Sequence, residues 1–337
     1  MMSRSRHYHV LLLVVLASVG VLVSLCAGQS FSSSVAGIAF EFFGLSDKPR
    51  GPQSIVMGPD DGLWFTEERG PGNRIGRLDQ GGRIQEYRIP TRNCGASDIA
   101  AGPDNALWFT ERRANKIGRI STDGHITEFP LRNPDAFPVN IIKGPDDKLW
   151  FTEPNVMRIG RMATNGTYRE YTFSGSIGPI AGATDGRVWF ILGTNTGQYL
   201  YWLLPSGRYA RYKIPSSYHG GSGLAIGPDA AVWFTGVNDD RIFRMTPSGS
   251  FREFALSEPN SYPGRIVSGH HNALWFTERN GVARISTSGV TTQFLSSRLG
   301  LCSVCGLAWG SPGDLWIALY ESDSIARVRI SQKMGGP

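Results

Sequence analysis

The sequence predicts an all-β protein: a seven-bladed β-propeller with four strands per blade, closed by an N-terminal strand that completes the last blade. Three observations predict it. The composition is that of a turn-rich sheet protein, a Trp-centred pattern recurs seven times, and the strand missing from the last repeat stands ahead of the first. Among 337 residues there are 42 Gly, 20 Pro and nine Trp, and only 18% are charged. One Gly in every eight residues is incompatible with a helical bundle, and so many aromatics with so little charge exclude a coiled coil or a disordered tail.

Taken in chain order, residues 1–28 read as a secretory signal peptide. Arg4 and Arg6 precede an apolar run over 10–26, and Cys26-Ala27-Gly28 offers small residues for cleavage before Gln29. A retained membrane anchor is the alternative, since a run of about 17 apolar residues is close to the shortest that spans a bilayer. Loss of Arg4 and Arg6 lowers the net charge from +6 to +4. That excess is spread without a basic run, so no nucleic-acid partner is expected, nor a membrane partner after cleavage. The expected location is extracellular, or periplasmic in a bacterium. Residues 29–337 form one domain, expected to be a monomer.

The first element of that domain is Ile38-Ala-Phe-Glu-Phe-Phe43, alternating and aromatic, as a strand with one buried face requires. Seven repeats follow, centred on Trp64, Trp108, Trp150, Trp189, Trp233, Trp275 and Trp316, at spacings of 44, 42, 39, 44, 42 and 41 residues. The fullest copy runs from Asp98 through Gly-Pro-Asp and Leu-Trp-Phe-Thr-Glu111, then Lys116-Ile-Gly-Arg-Ile120, then His125-Ile-Thr-Glu-Phe-Pro130. Gly-Pro-Asp and Asp-Gly punctuate these short runs as turns, which gives four strands per repeat and hence a propeller blade. The seventh copy ends at its third strand, and Ile38–Phe43 matches the fourth strand of the other copies, so exchange of that strand closes the ring and hides two sheet edges. Arg77, Arg119, Arg161, Arg244, Arg284 and Arg327 recur in the third strand and read as architecture.

Chemistry is sought at the channel mouth, where the inner strands start and the second strands end. Glu67, Glu111, Glu153 and Glu278 end four second strands and are expected there, as ligands for a hard cation such as Mg²⁺ or Ca²⁺ or as hydrogen-bond acceptors between blades. His219, in the loop between blades four and five, is the candidate general base, with an inert loop His as the alternative. Cys94, Cys302 and Cys305 are the disulfide candidates, as a local Cys302–Cys305 bridge or a bridge from one of them to Cys94. Asn165-Gly166-Thr167 is a glycosylation sequon in an exposed turn, with Asn165 the acceptor in a eukaryotic source. The expected partner is a small molecule, peptide or glycan at the mouth.

Units of the form Gly-Pro-Asp-x-x-Leu-Trp-Phe-Thr-Glu followed by Ile-Gly-Arg-Ile closely resemble the virginiamycin B lyase family over Ile38 to Ile330. The resemblance implies a seven-bladed propeller that opens a cyclic depsipeptide antibiotic by elimination at an ester, with Mg²⁺ polarising the substrate and a His as general base. It also implies a His at the start of the innermost strand in the last two blades, a Glu two residues before the final one, and a Glu three residues after the last Trp. Those positions hold Gly264, Cys305, Ser303 and Leu319. Gluconolactonase-type lactonases also build a metal site at a propeller mouth, although their blade motifs match less well. The sequence therefore reads as a secreted member of this type serving as a ligand-binding or interaction module. The alternative is a metal-dependent lyase for a cyclic depsipeptide or lactone ester.

Overall fold

The computed structural model describes residues 31–35, 38–45, 49–70, 73–269, 272–295, 299, 306–310 and 313–330. Residues 1–28, with the signal-peptide reading, lie outside them. Among the described residues twenty-nine strands form seven antiparallel sheets, and the only helix is a 3₁₀ turn at Pro154–Val156. No helix among the described residues is long and apolar enough to cross a membrane.

Six sheets have four strands in simple meander order. Blade one, for example, runs Pro52–Met57, Leu63–Glu67, Arg74–Leu78 and Ile84–Arg88 from the channel outwards. The seventh sheet has five. Gly306–Trp309, Leu315–Leu319 and Ser324–Ile330 are followed by Ile38–Gly44, which pairs antiparallel from Ile38 opposite Ile330 to Gly44 opposite Ser324. The strand exchange expected from the repeat is thus present. One strand is additional: Phe31–Val35 pairs with Ile38–Gly44 and becomes the outermost strand of that blade.

Alternation on the second strand explains the packing. Trp64, Trp108, Trp150 and Trp233 are fully buried, as are the Phe residues that follow them. Each Trp stacks on an aromatic of its own outer strand, as in Trp64–Tyr87 at 5.5 Å, Trp108–Phe129 at 5.3 Å and Trp233–Phe254 at 5.6 Å. In blade seven the partner of Trp316 is Phe43, at 5.6 Å, so the N-terminal strand supplies the ring that the other blades supply themselves. The Phe of the pair lies over a third-strand glycine. At Gly76, Gly118 and Gly160 a Cβ would come within 2.2 Å of the ring of Phe65, Phe109 or Phe151. Blades four and five carry Tyr201 and Phe243 there instead, and the rings stack at 5.2 Å on Phe190 and Phe234.

The recurrent Asp and Arg form a clasp in blades one, two, three and five, and in blade seven Asp314 holds Arg327 alone, at 2.6 Å. Asp60 accepts from Trp64 Nε1 at 2.8 Å and, through its other oxygen, from Arg77 Nε at 2.7 Å. Asp104, Asp146 and Asp229 do the same for Trp108 and Arg119, Trp150 and Arg161, and Trp233 and Arg244. Arg77, Arg119, Arg161, Arg244 and Arg327 are thus held within their own blades, as their repetition implies.

Candidate functional site

The threonines Thr66, Thr110, Thr152 and Thr235 of the Trp-Phe-Thr runs shape the inner strands, each accepting from a backbone N–H there. Thr66 Oγ1 accepts from Ser54 N at 3.1 Å and donates to the Ser97 carbonyl of the next blade at 2.9 Å. Thr110 repeats this with Asp98 N and the Val139 carbonyl. These bonds coincide with breaks in the ladder between Pro52 and Ile55 and between Ala96 and Ile99. A bulge re-aims the side chain it carries, and here Ser54 and Asp98 line the central channel.

The position ten residues before each blade Trp therefore forms a ring at the channel mouth: Ser54, Asp98, Asn140, Pro179, Gly223, Arg265 and Gly306. Its four polar members are bonded together. Asp98 accepts from Ser54 Oγ at 2.6 Å, Ile141 N at 3.0 Å and Asn140 Nδ2 at 3.5 Å. From across the channel Arg265 Nη2 reaches Asp98 Oδ1 at 3.3 Å. The Asp98 side chain is 8% exposed and that of Arg265 29%. Below this ring lies a cavity of about 340 Å³ that reaches Lys143 at the far ends of the inner strands.

The glutamates lie elsewhere. Glu67, Glu111, Glu153 and Glu278 are buried, and none lines the channel. The expectation that they gather at the mouth is corrected by strand periodicity: each shares a face with the Phe two residues earlier, and that face points between blades. Each meets the outer strand of its own blade. Burial, and next the facing Glu86 or Glu128 carboxylate, pushes Glu67 and Glu111 up to about 8. Burial and the facing Glu170 raise Glu153 as well. Burial takes Glu278 to about 7, although Gln293 Nε2 donates to it at 2.9 Å. No fixed donor reaches the oxygens of Glu111 or Glu153. No three His, Cys, Asp or Glu side chains among the described residues converge to hold a metal.

His219 has a partner that the sequence did not reveal. Its Nδ1 lies 2.5 Å from Asp239 Oδ1, and its backbone N–H donates to Asp239 Oδ2 at 2.9 Å. The imidazole is 68% exposed and the Asp239 side chain 4% exposed. Tyr218, buried edge-on against Phe234 and Phe243, anchors the loop. Cys94 is a buried free thiol against Glu111, and burial, then that carboxyl, push its pKa up and hold it un-ionised. Cys302 and Cys305 lie outside the described residues. Asn165 sits in an exposed turn, where its Oδ1 accepts from Thr167 N at 3.0 Å and Thr167 Oγ1 at 2.7 Å.

Asp98, Arg265 and Asp239 are the site residues that sequence reasoning missed. Asp239 is only a loop Asp in sequence. Asp98 and Arg265 were findable, because reading the blade register one residue further aligns both with Ser54 and Asn140.

The virginiamycin B lyase family model matches residues 32–192 and 174–335. Among solved structures, a streptogramin B lyase shares 29% identity over 91% of this chain and all of its own, with a TM-score of 0.80. The virginiamycin B lyase of Staphylococcus aureus shares 31% over 87% of this chain and 99% of its own, with a TM-score of 0.79. A gluconolactonase from Xanthomonas campestris, 14% identical over 91% of this chain and 99% of its own at a TM-score of 0.55, shares the fold alone. No curated protein sequence matches the chain significantly. The chain belongs to the virginiamycin B lyase family.

Proposed function

We propose that this member of the virginiamycin B lyase family is a secreted binding module that takes a small molecule, peptide or glycan at the channel mouth and lacks the family's elimination chemistry. The observation that carries the reading is the Asp98–Arg265 pair across the channel. Ester elimination needs a base at the carbon beside the carbonyl and a cation to hold the developing charge. The positions where the resemblance places those groups hold Gly264, Ser303, Cys305 and Leu319. Leu319 is 1% exposed and packed with Leu307, Leu315 and Ile317, a surrounding that offers a metal nothing. Arg265 adds a fixed positive charge, and Asp98, the acidic group of the lining, is already saturated. The residues present do not fit Mg²⁺.

One observation favours a second reading, a divergent metal-dependent lyase for a cyclic depsipeptide or lactone ester. Asp239 holds His219 Nδ1 and leaves Nε2 towards solvent, the arrangement by which a carboxylate orients a general base. The test uses the secreted protein, whose intact mass should place its N-terminus at Gln29. Incubated with a type B streptogramin and Mg²⁺, it is expected to give no linearised product by mass spectrometry. Rapid turnover abolished by His219→Ala would replace the first reading by the second.

A further inference from the structure

The geometry points to the central channel as a site for a small aliphatic carboxylate, with its carboxylate on Arg265 at the mouth and its hydrocarbon tail in the channel below. This rests on the reading of the mouth as a ligand site and names the ligand's chemistry.

The position nine residues before each blade Trp is aliphatic in all seven blades, from Ile55 to Leu307, and all seven side chains are buried and line the cavity. The cavity's 340 Å³ is enough for a small ligand, and its apolar wall favours an unbranched hydrocarbon, which gains about 0.8 kcal/mol for each methylene removed from water.

Charge sets the orientation. The charged side chains in the lining are Asp98, Arg265 and Lys143. Lys143 pairs with Asp147 at 3.0 Å beyond the far end. Asp98 is satisfied by Ser54 Oγ and the Ile141 N–H before Arg265 adds anything. Arg265 makes only its 3.3 Å contact with Asp98 among the described residues, which leaves most of its five N–H donors without a protein acceptor. A guanidinium fork at the rim of an apolar cavity matches a carboxylate in both charge and shape. An ammonium head group would meet Arg265 as a like charge and find the Asp98 oxygens already engaged by Ser54 and Ile141. A carboxylate meets Asp98 as a like charge but gains the open donors of Arg265, and an alcohol would gain the tail's burial without the charge-assisted bonds.

Calorimetric titration of the full mature protein with octanoate, octanol and octylammonium tests the assignment. Octanoate is expected to bind saturably at one site, and at least about tenfold more tightly than octanol, since bonds to a charged partner exceed neutral ones. Arg265→Gln, with its fold checked by circular dichroism, should weaken octanoate by a similar factor and leave octanol unchanged. Lys143→Gln should leave octanoate unchanged. No octanoate binding at millimolar concentration, equal affinity for octanoate and octanol, or a loss confined to Lys143→Gln would each overturn the assignment. Channel binding of octanol or octylammonium in preference to octanoate would overturn it too, while leaving the mouth a ligand site. The octanoate-to-octanol comparison needs no variant, so it decides even if Arg265→Gln misfolds.

Discussion

At the residue scale, the buried glutamates make the most distinctive demand on the fold. An ionised carboxylate between blades is costly, so Glu67, Glu111, Glu153 and Glu278 retain protons in the folded chain at pH values where the unfolded chain has lost them. Between the ordinary Glu value of 4.5 and about 8, the folded state binds more protons, and stability falls as pH rises. Below 4.5 the contribution of these groups is fully present. Asp60 works in the opposite sense. Burial alone would raise it, but hydrogen bonds from Trp64 and Arg77 hold it low, and its contribution is lost in acid. Thermal melts followed by circular dichroism should therefore give a higher Tm near pH 5 than at pH 9. Glu111→Gln keeps a neutral group of the same shape and should raise Tm at pH 9 by about 2 °C or more, a gain on the order of 1 kcal/mol, with little effect at pH 5. A pH-independent effect of this substitution would show that Glu111 is ionised in the fold. None of this was legible in the sequence. The Glu positions were visible, but a motif does not show whether a strand's last residue faces the channel or the next blade.

At the element scale, the N-terminal strand was legible because its absence from the seventh repeat and its presence ahead of the first are two marks of one event. The pairing of Phe43 with Trp316 gives that strand a side-chain role as well as a ladder. Phe43→Ala should destabilise by about 2 kcal/mol, below the figure for a fully buried Phe because Phe43 is half-buried. Denaturant unfolding with an unchanged m-value would check it. An effect within 0.5 kcal/mol would place the closure in the backbone bonds alone. The fifth strand at Phe31–Val35 was missed because its Ser-rich run has no alternation to mark it. The bulges at Ser54 and Asp98 were missed for a related reason: no local pattern announces them, and blade four breaks its ladder at the same place, between Ile177 and Ile180, with Ile191 where the other two carry a threonine.

At the scale of the whole molecule, a ring of repeats makes architecture easy to read and function hard. Seven Trp, their Asp–Arg clasps and their stacked outer-strand partners recur, so each copy corroborates the others. A site breaks the repeat, and its members come from different copies. Asp98 and Arg265 are 167 residues apart and share no motif, and only the closed ring sets them across one channel. The same closure sets the Arg265 cation beside Asp98 at the mouth. If the mouth is held by this pair, calorimetric titration of the mature protein with Mg²⁺ should show no saturable heat up to millimolar concentration. One-site Mg²⁺ binding at micromolar affinity, abolished by Asp98→Asn, would contradict that reading.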